Sequence, residues 1–355
     1  MNQDAVKRFD NLDGLRAFAA IGIVLMHVRA NTEYKIGGYV YNTILPFLTN
    51  LVFLFMIISA FSVCCGYYEK FKNNSISIAS FYEKRFVKIL PFFALLVVAE
   101  LIYSPSVNSL IEAFTDLTLC FGLLPNARIS VIGVGWFIGI IFVFYFLFPF
   151  FSTVILKNKR RAWISLAITI ELNIFCIIYF FDTNHVSQSF SPRSNIIFCA
   201  MFFVAGGIIY LYREALCKMV SKFWYIALAV SLAVAVAYFF LPKPLEYGVP
   251  HYLMMLLIFS CLVIYAIGAK SYVLNNPVTK FLSSISMEIY LCHMLVFRVA
   301  EKLKLNNLLG EGVVSYVFLS AIVLIGSIVF SYVVKLGFEK IGTLIKEKRK
   351  EKADA

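Results

Sequence analysis

Residues 12–28 read LDGLRAFAAIGIVLMHV. From Ala17 to Val28 the stretch is apolar apart from one histidine, yet it opens with Asp13 and Arg16 and reaches His27. Ionisable side chains inside a membrane span are costly, and they face a protein interior or a water-filled cavity. A helix turns 100° and rises 1.5 Å per residue. Arg16 and His27, eleven residues apart, therefore share nearly one face at an axial separation of about 16–17 Å, with Asp13 on an adjoining part of it. One reading is structural: Arg16 snorkels to lipid headgroups and His27 closes a packing network. The other is functional: a cationic anchor at one membrane surface and a titratable base within the membrane. The span between them is comparable to an extended pantetheine arm, which suits an acyl-CoA held by its phosphates with its thioester pushed upward.

Outward from this helix, the chain of 355 residues is 61 % hydrophobic and 15 % charged. Soluble domains run at roughly 45–50 % and about 25 %. Apolar runs near 12–30, 44–66, 86–103, 133–156, 162–181, 195–212, 223–241, 252–269, 281–299 and 314–338 are each long enough to cross about 30 Å of hydrocarbon. The expected fold is all-α: a polytopic membrane helix bundle of about ten transmembrane helices with both termini cytoplasmic. It forms one membrane domain over 1–355, with a charged tail at 341–355 and no fused extracytoplasmic domain. Residues 107–124 are ambiguous, because Glu112 and Asp116 sit mid-run on one helical face. Charge decides the matter. Cytoplasmic loops carry the excess of Lys and Arg, and if 107–124 does not cross, 24 of the 32 basic residues fall on the inner side.

The net charge of +12 is then mostly topology. Nucleic-acid binding needs a concentrated basic face, whereas these cations lie scattered in short loops. An aromatic content of 17 % suits membrane packing and interfacial belts. The basic start and apolar run lack a small-residue cleavage site, so they read as a first helix rather than a signal peptide. Eight cysteines lie mostly in apolar runs without a CxxC pair, so neither disulfides nor a metal site is expected.

A second basic pair lies in FYEKRFVKILP, residues 81–91. Arg85 and Lys88, three apart, share a face. Cations near a helix N-terminus oppose the macrodipole, and a shared anion would reconcile them. Lys70, Lys72 and Lys84 read as topology anchors. At the far end, His293 in IYLCHML shares a face with Tyr290, Ile289 and Ser286. Glu288 lies about 140° around the helix from His293, too far to orient it. Glu100 and Glu171 each have the position to pair with a basic residue of another helix. His185 and His251 read as loop residues.

LDGLRAFAAIGIVLMH resembles the opening of the acyltransferase family 3 membrane proteins, which carry a basic residue, ten residues and then histidine on the first helix; Arg16 and His27 match. YEKRFVKILP is similar to the family's basic pair before Ile-x-Pro, with Arg85 and Lys88 in place. FMIISAF at 55–61 resembles a Ser-Gly-Phe stretch, with Ser59 matched and Ala60 for the usual glycine. GWFIGIIFVFYFLFP at 135–149 resembles a Trp…Tyr…Pro helix beginning at Trp136, and SSISMEIYLCHMLV at 283–296 a Ser…Ile-Tyr-Leu-x-His stretch. The resemblance runs from residue 9 to about 340.

It implies a membrane O-acyltransferase, of O-acetyltransferase type, taking an acyl group from cytoplasmic acetyl-CoA or another acyl-CoA. The acceptor would be a hydroxyl of a cell-surface or lipid-linked saccharide at the cell (plasma or inner) membrane. His27 is the expected catalytic base, and unperturbed histidine already titrates near neutral pH. Arg16, Arg85 and Lys88 are the expected donor-binding residues, and Asp13, Ser59, Trp136, Tyr290 and His293 line the site. Lys88 stands where arginine is commoner and acts as a point charge rather than a bidentate fork. Trp136 lacks the serine and glutamates that follow it in many members. A succinyl or longer donor, or a lipid-linked glycan transporter, are the competing readings. Transporters show repeats and helices broken at mid-depth, and no paired breaks are evident in the sequence.

Overall fold

The computed structural model describes residues 9–125, 129, 132–180, 184–185, 190–240 and 248–354. Lys7, Arg8 and the outer-loop positions around 188 and 245 lie outside them. The described residues form helices and no strands. Hydrocarbon offers no partner for backbone N–H and C=O groups, so a spanning segment must satisfy them internally. The principal helices are α1 (Asn11–Ala30), α2 (Leu51–Lys72), α3 (Ile78–Tyr103), α4 (Val107–Asp116), α5 (Trp136–Phe146), α6 (Lys159–Tyr179), α7 (Ile196–Leu211), α8 (Arg213–Lys222), α9 (Trp224–Phe239), α10 (Val249–Gly268), α11 (Pro277–Ser284), α12 (Ser286–Lys302) and α13 (Val313–Asp354). Short polar residues start several of them. The side chains of Ser77, Ser106, Asn158, Asn195 and Asn276 accept from first-turn amides of α3, α4, α6, α7 and α11, satisfying donors that have no intrahelical partner.

By length and composition six helices are able to cross a membrane: Asn11–Ala30, Val40–Lys72, Ile78–Tyr103, Lys159–Tyr179, Val249–Gly268 and Val313–Leu344. The number rises to nine if each of three bent pairs makes one span. The protein is thus an all-helical, multi-pass membrane protein with six to nine candidate spans among the described residues. One of the ten runs expected from the sequence, 223–241, appears as the 16-residue helix α9, which is short for a span. Residues 107–124 do not form a spanning helix: α4 has ten residues and ends in a turn at Asp116.

The bent pairs were not evident in the sequence. They turn by 48° between Gly133–Phe146 and Phe148–Ile155, 75° between α7 and α8, and 69° between α11 and α12. All three bends lie at the Arg16 end of the bundle. The Phe146 carbonyl accepts from Tyr82 near the start of α3 at 2.6 Å. Ser283, just before the third bend, donates to Asp13 at 2.9 Å. Arg213, at the second bend, acts electrostatically on Cys65, as Arg16 does. α1 lies at the centre, with most of its residues buried, whereas α6 turns most of its surface outward.

Candidate active site

The position of α1 is fixed by close approach. A Cβ on Gly14 would stand 2.3 Å from the Leu274 carbonyl oxygen, so only glycine lets α1 lie against the 270–276 turn. Asn11 Nδ2 donates to the Ala266 and Ala269 carbonyls at the end of α10, at 3.1 and 2.5 Å. This register sets Asp13 beside α11. Asp13 Oδ1 accepts from Ser283 Oγ at 2.9 Å and from Arg16 Nη1 at 3.1 Å. Arg16 Nη2 donates to Ser62 Oγ on α2 at 2.5 Å. The guanidinium is therefore held inside the bundle by a carboxylate and a hydroxyl instead of reaching for headgroups.

Further cations gather at this end. The Arg85 guanidinium lies over Tyr67, Tyr145 and Phe81 at 4.7, 5.5 and 5.7 Å from the ring centroids. Its Nε is buried without a hydrogen bond, and no carboxylate pairs with it among the described residues. Lys88 is exposed and lies within electrostatic reach of Arg85, Arg16, Lys335 and Glu288. Lys335 Nζ donates to the Ser284 carbonyl and Oγ at 3.1 and 3.2 Å. Tyr145 joins the group, being within reach of Arg16 as well as under Arg85. Four cations against Glu288 and the Arg16-bound Asp13 still leave an excess of positive charge in a partly desolvated place, which favours an anion.

Three turns along α1 the chemistry changes. His27 Nδ1 donates to the Ile23 carbonyl one turn back at 3.0 Å. A carbonyl only accepts, so in the neutral ring the proton sits on Nδ1 and the Nε2 lone pair is free. The His293 ring lies beside it, with centroids 4.8 Å apart. His293 Nδ1 donates to the Tyr290 carbonyl at 2.7 Å. Its Nε2 is buried and makes no hydrogen bond. Tyr290 is itself buried; its hydroxyl donates to the Val134 carbonyl at 2.8 Å, and its ring packs on Phe137 and Phe55. Two imidazoles thus lie side by side, one half-buried and one buried, each with its Nδ1 proton engaged. Arg193, on the turn before α7, is within electrostatic reach of both His27 and Tyr290.

The expected residues divide into two groups. Asp13, Arg16, Arg85 and Lys88 gather at one end of α1, and His27, His293 and Tyr290 at the other. Trp136 stands at the start of α5 with its ring edge-on to Phe137, one ring removed from Tyr290. Ser59 is half-buried on α2 and makes no side-chain hydrogen bond among the described residues. Glu100 pairs with Arg298 across α3 and α12, and Glu171 is exposed on α6. His251 is a buried residue of α10 rather than a loop residue: Tyr238 donates to its Nδ1 at 2.9 Å, and its Nε2 donates to Asn50 Oδ1 at 3.3 Å. Tyr145, Lys335 and Arg193 were not foreseen. Tyr145 had a signal, since it is the tyrosine of the Trp…Tyr…Pro helix; Lys335, inside the run 314–338, and Arg193, between two runs, belong to no motif. No group of three His, Cys, Asp or Glu able to hold a metal occurs among the described residues.

No curated protein and no solved structure matches the chain. A family model described as an acyltransferase domain matches residues 9–334. That match spans both ends of α1, the Arg85–Lys88 helix and the His293 helix. The chain therefore belongs to acyltransferase family 3 and is a membrane acyltransferase.

Proposed function

We propose that the protein is an O-acyltransferase, acetyl being the first acyl group to test, and that it transfers from cytoplasmic acyl-CoA to a hydroxyl of a cell-surface or lipid-linked saccharide. The two-ended α1 carries this reading: a cation cluster around Arg16 at one end, and a histidine pair three turns away. The donor's phosphates suit the Arg16 end. Arginine offers planar bidentate contacts to phosphate, and Lys88 a point charge. Arg85 has a buried Nε without a partner, which an anion oxygen would satisfy. At the other end, His27 Nε2 takes the proton of the acceptor hydroxyl as that oxygen attacks the thioester. Placing the Arg16 end in the cytoplasm follows the 24 of 32 basic residues that fall on that side, and it makes the cell membrane the site of action.

Glycan transport is the competing reading, since bent helices are common in transporters. Transporters break helices at mid-depth around the cargo, whereas the three bends here lie beside Arg16 and not beside His27. The test pairs two measurements. Purified protein is given acetyl-CoA, then succinyl-CoA, and released thiol is followed with and without a glycolipid extract. Surface glycans from cells with and without the protein are weighed by mass spectrometry. Acceptor-dependent thiol release and a missing acyl mass in the deleted cells are expected. A loss of surface glycan with unchanged acylation would favour transport.

A further inference from the structure

Arg193 is half-buried and sits in a tightly bonded turn. Its carbonyl accepts the Cys199 thiol at 3.1 Å, and Ser194 after it is 2 % exposed. Asn195 Oδ1 accepts from the Ile197 and Phe198 backbone amides at 2.9 and 3.2 Å, while its Nδ2 donates to the Pro125 carbonyl at 2.8 Å. The guanidinium is aimed by Nη1 donating to Thr49 Oγ1 at 2.6 Å. Thr49 belongs to the short helical run that packs on α1 beside Gly22. Among the described residues no carboxylate pairs with Arg193. His27 and Tyr290 feel its charge.

Through Thr49 the guanidinium is held against the half of α1 that carries Gly22 and His27, and a fixed cation within reach of a base opposes the proton which that base must accept. The opposition is relieved if negative charge forms nearby at the same moment. Addition of a hydroxyl to a thioester creates that charge on the carbonyl oxygen as the imidazolium forms, and a pre-aimed donor in a low-dielectric site stabilises it most.

Building on the acyltransferase reading, we propose that Arg193 stabilises the oxyanion of acyl transfer. The acceptor O–H proton passes to His27 Nε2 as the acceptor oxygen bonds to the thioester carbon. The carbonyl π pair moves onto its oxygen, facing Arg193. That pair then returns, the C–S bond breaks, and the imidazolium gives its proton to the departing CoA thiolate. No oxidant or further reactant enters.

The test is the kcat-against-KM split in Arg193→Gln, with acetyl-CoA (succinyl-CoA if acetyl is not consumed) and a glycolipid extract as acceptor. Removing one oxyanion donor costs about 10²–10³ in kcat, and that loss is expected here with the acceptor KM and donor affinity unchanged. Arg193→Lys should fall between the two, and Thr49→Val, which loosens the aim alone, should lose less. These two variants carry the test if Arg193→Gln is not monodisperse in detergent. A raised acceptor KM with kcat intact would make Arg193 an acceptor-binding residue and overturn the proposal; so would unchanged kinetics. If the wild-type protein consumes neither donor, the acyltransferase chemistry assigned above fails, and the role of Arg193 fails with it.

Discussion

His27 and His293 lie with ring centroids 4.8 Å apart, and each spends its Nδ1 proton on a carbonyl of its own helix. Both Nε2 atoms are thereby left as acceptors. If His27 is the base, His27→Asn should abolish transfer while acyl-CoA binding survives, because asparagine keeps a polar side chain but takes up no proton near neutral pH. General-base removal typically costs about 10²–10⁴ in rate. Acylation of the glycan at near wild-type rate, in membranes with matched protein levels, would return His27 to a packing role.

The cation cluster gives a second expectation. Arg85→Ala/Lys88→Ala should weaken acyl-CoA binding tenfold or more, because hydrogen bonds to charged groups contribute about 1.5–3 kcal/mol each. The protein should stay monodisperse, since neither residue pairs with a carboxylate whose charge would be stranded. Equilibrium binding of acetyl-CoA to purified protein is the measurement. Unchanged affinity would leave both residues as topology anchors.

Topology is tested by reporter fusions. Fusions after residue 158 and at the C-terminus should report cytoplasm, and those near 38 and 306, with 188 and 245 in the outer loops, should report the outside. An outside signal at 158 would mean that 107–124 crosses. The ten-residue length of α4 argues against crossing, as ten residues rise about 15 Å.

Asp116 on α4 gives a pH prediction. It is 1 % exposed with Oδ2 unpaired. Burial, with the charge of Glu112 adding to it, pushes its carboxyl up from 3.8 to about 7. The folded chain then holds a proton that the unfolded chain releases. This contribution is fully favourable below about pH 4 and is lost as pH rises toward 7. Asp116→Asn should therefore raise the detergent melting temperature more at pH 8 than at pH 5. An equal effect at both pH values would show that Asp116 is not held protonated.

What the sequence made legible was whatever depends on spacing within one helix. The Arg16–His27 interval, the Arg85–Lys88 pair and the failure of 107–124 to span all follow from periodicity and charge. What stayed hidden depends on contacts between distant helices. His293 was marked by its neighbours, but its partner in space is on α1. Nothing local to Lys335 shows that it reaches back to Ser284. The bends at Leu147, Tyr212 and Ile285 fall in or beside apolar runs, where hydropathy continues smoothly while the backbone direction does not. His251 begins its helix beside Pro250, and only the fold brings Tyr238 and Asn50 to its two nitrogens.

Asn11, Asp13 and Gly14 are among the first residues to leave the ribosome, yet the groups they lock onto are made last. Asn11 waits 255 residues for the Ala266 carbonyl and Asp13 waits 270 for Ser283. Through nearly all of synthesis the first helix can shelter its charge only by pairing Asp13 with Arg16, three residues apart, and with Ser62 once α2 follows. The order of manufacture therefore sets the order of assembly: the anchor closes only after the chain has reached Ser283. A polypeptide released early would carry His27 on α1 but have neither the His293 ring beside it nor the Ser283 contact on Asp13. Unfinished copies thus lack the paired imidazoles that the complete bundle holds.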